Sequence, residues 1–474
     1  MEYQPIKGTH DIFGKEMEEY RYVTDVFKAV SEQYGYHEIA TPTLEYTDVF
    51  SRGAGSSSDI VRKEMYTFLD KGNRSVTMRP EFTAGVMRSI VSNKLYVSMD
   101  YPIKLSYCGP AFRYERPQLG RYRQFNQFGV ESVGIDSPLM DAETILHAYH
   151  CFSMLGFKDI SLKVNTLGDD NTRKAYREAL KGYFASRIDN MCEDCHARLE
   201  LNPMRILDCK VPSDQEIAKG APKLMDFLSS ESRDRFNKTL AILSSYEIDY
   251  EIDENLVRGL DYYSEVVFEV HAKSKDGKDY GALCGGGHYG GLVKEFGGPD
   301  LAGVGFAVGV ERIMSIMEEQ GLFDHLDNGL DIYLMPIGED MIPTCFEFAS
   351  SIRVLGYSVE MPYSNAKMGS LFKKAEKRNA KVAIILGQDE LDKGVVQVKN
   401  LKTKEQIEAS IDSLEVTLDH IFESFEEDEE CGCGCHHHEE GHHCCHDKEE
   451  SEEHHCCHDI EGEEHHCHCH DSEK

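Results

Sequence analysis

Phe112-Arg113-Tyr114-Glu115-Arg116-Pro117, followed by Gly120-Arg121-Tyr122-Arg123-Gln124-Phe125-Asn126-Gln127, is the stretch on which the reading of the fold turns. One strand ends, a charged loop turns at Pro117 and Gly120, and a second strand returns. Arg113, Arg116, Arg121 and Arg123 crowd this single hairpin. Such a cluster repels itself unless an anion lies among the guanidinium groups, and a triphosphate is the natural anion. Phe125 offers a ring on which a purine base can stack. A solvated basic hairpin would carry the same residues, so the surrounding sequence has to decide.

Outward from the hairpin, the chain alternates β-rich stretches such as Ile103-Lys104-Leu105-Ser106-Tyr107 with polar loops. Before it, Tyr20, Val23, Phe27, Val30 and Tyr34 recur at helical spacing and predict a helix over Lys15 to Tyr34. After it, from about 167 to 249, the texture turns helical and charged and reads as an insertion. Strand-like runs return at Glu265 to Val270 and are followed by a glycine-dense stretch, Gly281 to Gly298. Gly303-Val304-Gly305-Phe306-Ala307-Val308-Gly309-Val310-Glu311-Arg312 is a glycine-spaced apolar strand running into a helix. Its glycines permit close approach, and Arg312 at the helix start would face the same anion as the hairpin. From about 328, strands at Asp331 to Ile337, Tyr357 to Met361, Val382 to Leu386 and Gly394 to Lys399 alternate with helices, as in a small α/β domain that ends in a helix near Phe425. The division expected is 1–325 with the insertion, 328–425, and a tail at 426–474.

Charge and cysteine are unevenly distributed. The tail holds 18 acidic and 2 basic residues, so it carries −16 of the total −33. A nucleic-acid partner would have to meet local basic patches against an acidic field. No run of 18 apolar residues exists and the first ten residues lack a signal pattern, which points to a cytoplasmic chain without a membrane span. Nine of the 16 cysteines lie in the tail, at Cys431, Cys433, Cys435, Cys444, Cys445, Cys456, Cys457, Cys467 and Cys469. His442-His443-Cys444-Cys445-His446-Asp447 recurs as His454-His455-Cys456-Cys457-His458-Asp459, and a looser copy spans His465 to Asp471. Thiolate with imidazole is the ligand set of zinc, nickel and copper(I). The expectation is a tail that binds several ions, Zn²⁺ or Ni²⁺ first, and is disordered without them. In the insertion, Cys192-Glu193-Asp194-Cys195 with Cys209 has zinc-knuckle spacing, with His196 or Asp208 as a fourth ligand, or else holds three unligated thiols.

The hairpin and the glycine-spaced strand resemble motifs 2 and 3 of the class II aminoacyl-tRNA synthetases. Thr41-Pro42-Thr43-Leu44-Glu45 resembles motif 1, whose proline lies at the dimer interface in that family. Leu256-Val257-Arg258-Gly259-Leu260-Asp261-Tyr262-Tyr263 and Gly285-Gly286-Gly287-His288-Tyr289-Gly290-Gly291 resemble the signatures of the histidyl-tRNA synthetases, over roughly residues 3 to 422. The resemblance implies an α/β fold: a catalytic core on a mainly antiparallel sheet, a helical insertion and an α/β anticodon-binding domain. It also implies a homodimer that uses ATP and Mg²⁺ to activate histidine and esterify it onto tRNA(His). Two departures stand out. His288-Tyr289-Gly290 replaces a common Arg-Tyr-Asp or Arg-Tyr-Asn, and Phe82 stands where glycine is common; both bear on the shape of the amino-acid pocket.

The chemistry implied needs fixed cations, because a carboxylate attacks a phosphorus atom and pyrophosphate leaves. By resemblance, Arg113 and Arg258 contact the α-phosphate from two sides and are the catalytic pair. Arg121 and Arg312 hold the outer phosphates, and Glu115 and Phe125 complete the ATP site. Glu81, Thr83 and Gln127 would accept from the histidine ammonium. Glu131 and Tyr263 would take the two edges of the imidazole, with Tyr262 and Arg258 beside them. Gln118, at the loop tip, would meet the acceptor end of tRNA. Lys373, Lys374, Lys377 and Arg378 either touch tRNA phosphates or keep a helix solvated. Two rival readings are a non-catalytic, histidine-sensing regulatory paralogue and a metal-storage protein. The first lacks the C-terminal unit and parts of the motifs present here; the second leaves the equipped body unexplained.

Overall fold

The computed structural model describes residues 3–53, 58, 60–116, 120–273, 279–326 and 329–430, and divides the chain into two compact units, 1–328 and 329–474. In the first unit, strands β1 (His37–Glu38), β5 (Ile103–Phe112), β6 (Gln124–Val133), β7 (Ile160–Thr166), β8 (Tyr250–Ile252), β9 (Tyr263–Lys273), β10 (Asp279–Tyr289) and β11 (Gly303–Gly309) form one sheet in the order β1-β5-β6-β11-β10-β9-β7-β8. Only the edge pairs β1–β5 and β7–β8 are parallel, so the sheet is mainly antiparallel. Strands β2 (Leu44–Tyr46), β3 (Tyr66–Leu69) and β4 (Ser75–Met78) make a separate sheet in the order β2-β4-β3.

Alternation along the strands divides the large sheet into two faces. On one face Phe128, Val130, Phe268, Val270, Phe306 and Val308 are buried, packed under the helices Lys15–Gln33 and Pro138–Met154 through Val23, Phe27, Val30, Ile145 and Phe152. Phe27 stacks on Phe128 at 4.7 Å between ring centroids. Burying each such side chain stabilises the unit by about 1.5–3 kcal/mol. Ser137 caps the second helix by accepting the N–H of Leu139, and Pro138 starts it. On the other face Leu105, Tyr107, Val133 and Val267 pack in a second core with Val86, Met87 and Ile90 of the helix Thr83–Ser92, and Phe125, Gln127 and Glu131 lie beside it.

Between β7 and β8 the chain is helical, as its texture predicts: Asp170–Ala185, Glu193–Leu201, Pro212–Ala218 and Ser230–Ser245. The second unit is a mixed sheet of β12 (Ile332–Pro336), β13 (Val359–Glu360), β14 (Val382–Leu386), β15 (Val395–Asn400) and β16 (Gln406–Ser410), ordered β13-β12-β14-β15-β16. Strand β16 escapes sequence reading because only Ala409 of its five residues is buried. The last helix runs Leu414–Glu430, five residues beyond Phe425, since glutamates propagate a helix despite their mutual repulsion. The tail cysteines and histidines, from Cys431 on, lie outside the described residues. Among the described residues no helix is long and apolar enough to cross a membrane.

Candidate active site

A cleft of about 360 Å³ opens on this second face of the large sheet. Its floor is glycine. A Cβ at Gly285 on β10 would overlap the guanidinium of Arg258, and one at Gly305 on β11 would overlap the carboxylate of Glu131. Two charged side chains can therefore lie flat on the central strands, with walls supplied by the strands on either side.

At the closed end, Glu131 is 2% exposed and accepts three side-chain hydrogen bonds. Thr83 Oγ1 donates at 2.6 Å and Tyr107 OH at 3.0 Å to one oxygen, and Tyr289 OH at 2.5 Å to the other. Burial lifts the Glu131 carboxyl to about 7. Burial also holds the phenols of Tyr107, Tyr262 and Tyr289 well above their ordinary range, so they stay protonated as donors. Tyr263 lines the same end and is 8% exposed. Glu81 is buried with its oxygens on the N–H groups of Thr83 (2.7 Å) and Ala84 (3.0 Å), clamping the start of the helix Thr83–Ser92. Gln127 is 6% exposed and its Oε1 has no hydrogen-bond partner among the described residues, an acceptor left open at the cleft wall.

The open end is cationic. Arg113 donates through Nε to the Pro80 carbonyl at 2.8 Å and lies 5.2 Å from the Phe125 ring centroid, with Glu115 at 3.9 Å. Arg312, in the first turn of the helix Val310–Gln320, donates to the carbonyls of Ala282 (3.1 Å) and Tyr280. Arg121 is exposed at the rim. Backbone carbonyls thus aim the guanidinium groups of Arg113 and Arg312. Arg258 is paired with Glu269, and its Nε has no partner among the described residues.

All the predicted histidine and ATP residues, from Glu81 to Arg312, line this one cleft. Gln118 lies outside the described residues. Sequence reading missed Tyr107, Tyr289 and Glu269 as members of the site. Tyr289 sits inside the quoted glycine-rich signature and Tyr107 inside a quoted β-rich run, but only strand register shows that both reach Glu131. Of the two departures, His288 needs correction. His288 does not line the cleft; it is buried with Nδ1 3.1 Å from Asp141 and 3.0 Å from Arg235, tying β10 to two helices. Phe82 acts at one remove, stacked on Tyr107 at 4.5 Å.

In the insertion, Cys192, Cys195 and Cys209 come together, and the fourth group is Asp214. His196 and Asp208 are both exposed, and Asp208 is paired with Lys210. Lys373, Lys374, Lys377 and Arg378 are all exposed, with Arg378 paired to Glu360.

Comparison with known proteins bears on the geometry. The family described as Histidyl-tRNA synthetase matches residues 8–313, and that described as Anticodon binding domain matches residues 331–420. A histidine–tRNA ligase of Geobacillus sp. (strain WCH70) is 46% identical over 417 residues, which is 87% of this chain and 98% of the relative. One from Anoxybacillus flavithermus is 44% identical over 423 residues, 89% of this chain and all of the relative. The crystal structure of apo histidyl-tRNA synthetase from S. aureus superposes with a TM-score of 0.75 at 36% identity, covering 88% of this chain and all of that one.

Proposed function

The chain belongs to the histidyl-tRNA synthetase family, and from that premise we propose which groups of its cleft ligate histidine to tRNA. The reaction has two steps. An oxygen of the histidine carboxylate attacks the α-phosphorus of ATP, the bond to the bridging oxygen breaks, and pyrophosphate leaves. A hydroxyl at the 3′ end of tRNA then attacks the acyl carbonyl, and AMP leaves. ATP enters as its Mg²⁺ complex, so that ion belongs to the substrate.

One observation carries the residue assignment: a single cleft has a buried, hydroxyl-lined carboxylate at one end and backbone-anchored arginines at the other. We assign the imidazole to the closed end. Glu131 accepts from one ring nitrogen and Tyr263 satisfies the other, with Tyr107 and Tyr289 as further donors there and Tyr262 beside them. The open carbonyl of Gln127, with Glu81 and Thr83, receives the ammonium. Arg113 and Arg258 meet the α-phosphate, where charge builds up in the transition state. Arg121 and Arg312 take the outer phosphates, Phe125 the purine, and Glu115 the nucleotide side of the cleft. Activation needs no general base, because the nucleophile is already ionised. Histidine-dependent exchange between ATP and pyrophosphate tests this reading. Exchange is expected with histidine alone among the amino acids, and its absence would overturn it.

A homodimer accords with the small sheet. The register puts Leu44, Tyr46, Tyr66, Phe68, Val76 and Met78 on one face, and Leu44, Tyr46 and Phe68 are about half exposed. Sedimentation of the protein should give twice the chain mass. Gln118 and the exposed lysines of the helix Met368–Lys377 are assigned to tRNA.

The tail is assigned to metal. Its repeated His-His-Cys-Cys-His-Asp unit supplies soft and borderline ligands amid glutamates that attract a cation. The Anoxybacillus relative is matched over its full length by 423 residues, 51 fewer than this chain has, so ligation does not require such a tail. Deleting residues 426–474 should leave aminoacylation largely intact and remove most bound Zn²⁺ or Ni²⁺. Equal metal content by elemental analysis of untagged full-length and truncated protein would refute the assignment.

A further inference from the structure

The insertion carries a second polar cluster, away from the cleft. Cys192 and Cys195 flank the first turn of the helix Glu193–Leu201, Cys209 follows the short turn Pro203–Ile206, and Asp214 lies in the helix Pro212–Ala218. One ligand atom from each lies within 4.8 Å of all the others. Cys195, Cys209 and Asp214 are 0%, 3% and 0% exposed. A carboxylate buried among three sulfurs has little reason to be there unless a cation joins them.

The distances agree with a tetrahedral centre. With Zn–S near 2.3 Å and Zn–O near 2.0 Å, ligand sulfurs stand about 3.8 Å apart and a sulfur and an oxygen about 3.5 Å apart. Here the sulfurs of Cys192 and Cys209 are 3.8 Å apart, and Cys209 Sγ is 3.3 Å from Asp214 Oδ2. A disulfide would need about 2.05 Å. The carboxylate is oriented by its own partners, as metal ligands usually are: the N–H of Cys192 donates to Oδ2 at 3.0 Å and the Ser213 hydroxyl to Oδ1 at 3.2 Å.

We propose that Cys192, Cys195, Cys209 and Asp214 bind one structural Zn²⁺ that staples the insertion. Four protein ligands close the coordination shell, so the ion has no open position for chemistry. Its effect is on placement. Lys63 pairs with Asp194 inside the knuckle at 2.6 Å, and Asn202 Nδ2, just beyond its helix, donates to Asp261 Oδ1 at 2.9 Å. Asp261 belongs to the segment that carries Arg258, Tyr262 and Tyr263. The staple therefore braces that segment from outside the cleft.

The test uses the full-length chain with the nine tail cysteines replaced by serine and the thirteen tail histidines by asparagine, so that seven cysteine thiols and no tail ligand of either type remain. Titration with Co²⁺ should produce thiolate-to-cobalt charge-transfer absorption saturating at one equivalent per chain, bleached by Zn²⁺. Adding Cys209→Ser should abolish the band, and Asp214→Asn should weaken metal retention while keeping the thiolate band. If the parent chain shows no thiolate band, or a Cys192–Cys209 disulfide instead, the site does not exist, whatever the folding of the variants. A second readout tests the staple. Removing the metal with a chelator should speed amide exchange across 192–218 and 257–263 and leave β5 and β6 unchanged. Unchanged exchange across 192–218 would overturn it.

Discussion

The two ends of the cleft are built on opposite principles. The closed end is saturated: Glu131 receives three hydroxyls, Glu81 two backbone N–H groups, and neither is more than 2% exposed. The open end is cationic and anchored to the backbone. Arg113 and Arg312 lean on backbone carbonyls, which fix the direction of each guanidinium. Selection of a small polar ring calls for a fixed set of partners that a wrong side chain would leave unpaired. Stabilisation of leaving pyrophosphate calls for positive charge held ready in place. On the proposed assignment, specificity falls to one end and rate to the other.

The largest break in that contrast should come from Arg258→Ala. Exchange between ATP and pyrophosphate should fall by at least about 10²-fold, the scale for losing one preorganised electrostatic donor, with a much smaller change in histidine affinity. Near-normal exchange would remove Arg258 from the rate-determining end. Next comes Gly285→Ala. The atoms that a Cβ would meet first all belong to the Arg258 guanidinium, the movable end of a flexible chain. The protein should therefore fold normally while Arg258 is pushed off its place, and kcat should drop about ten- to a hundredfold. Wild-type kcat there would mean that Arg258 acts from more than one position.

The closed end should respond differently. Glu131→Gln should raise the histidine KM about tenfold and relax discrimination against other amino acids, since an amide cannot match a carboxylate toward an imidazole N–H. Unchanged KM and selectivity would make Glu131 structural. The remaining effect is on stability rather than on catalysis. Because burial lifts the Glu131 carboxyl to about 7, the stability linked to its proton is complete below the ordinary carboxylate range and is lost as pH rises through 7. Glutamine escapes that loss. Ligand-free Glu131→Gln should be more stable to unfolding than wild type at pH 8, by up to about 3 kcal/mol, with little difference at pH 5. An advantage that is the same at both pH values would disprove the linkage.

Much of the cleft was legible because its charged groups sit in short, dense runs. Arg113 to Gln127 form one hairpin, Arg258 to Tyr263 one segment, and Gly303 to Arg312 one strand and helix start. What could not be read depends on register or on distance along the chain. Tyr107 faces Glu131 because β5 and β6 pair Tyr107 with Gly129, leaving room for the ring. Glu269 meets Arg258 because β9 sets it opposite Gly285. Asp214 lies five residues past Cys209, where the helix after Pro212 turns it inward, whereas the acid next to Cys209 in sequence, Asp208, faces solvent. His288 reads as a pocket residue from its glycine-rich neighbours, yet strand alternation puts it on the opposite face from Tyr289.

The strand order has a consequence for synthesis on the ribosome. Strand β11 lies between β6 and β10, although about 170 residues separate the end of β6 at Val133 from the start of β11 at Gly303. A chain emerging N-terminus first completes the β5–β6 hairpin long before the strand that seals its inner edge exists. At translation rates of about 5–20 residues per second, that edge waits roughly 10–30 s with unpaired backbone groups exposed. Nothing made in that interval can close the glycine floor under Glu131. The nascent enzyme is therefore most vulnerable to strand-to-strand aggregation while the whole insertion is being made, and a chaperone that shields β6 would act in that window.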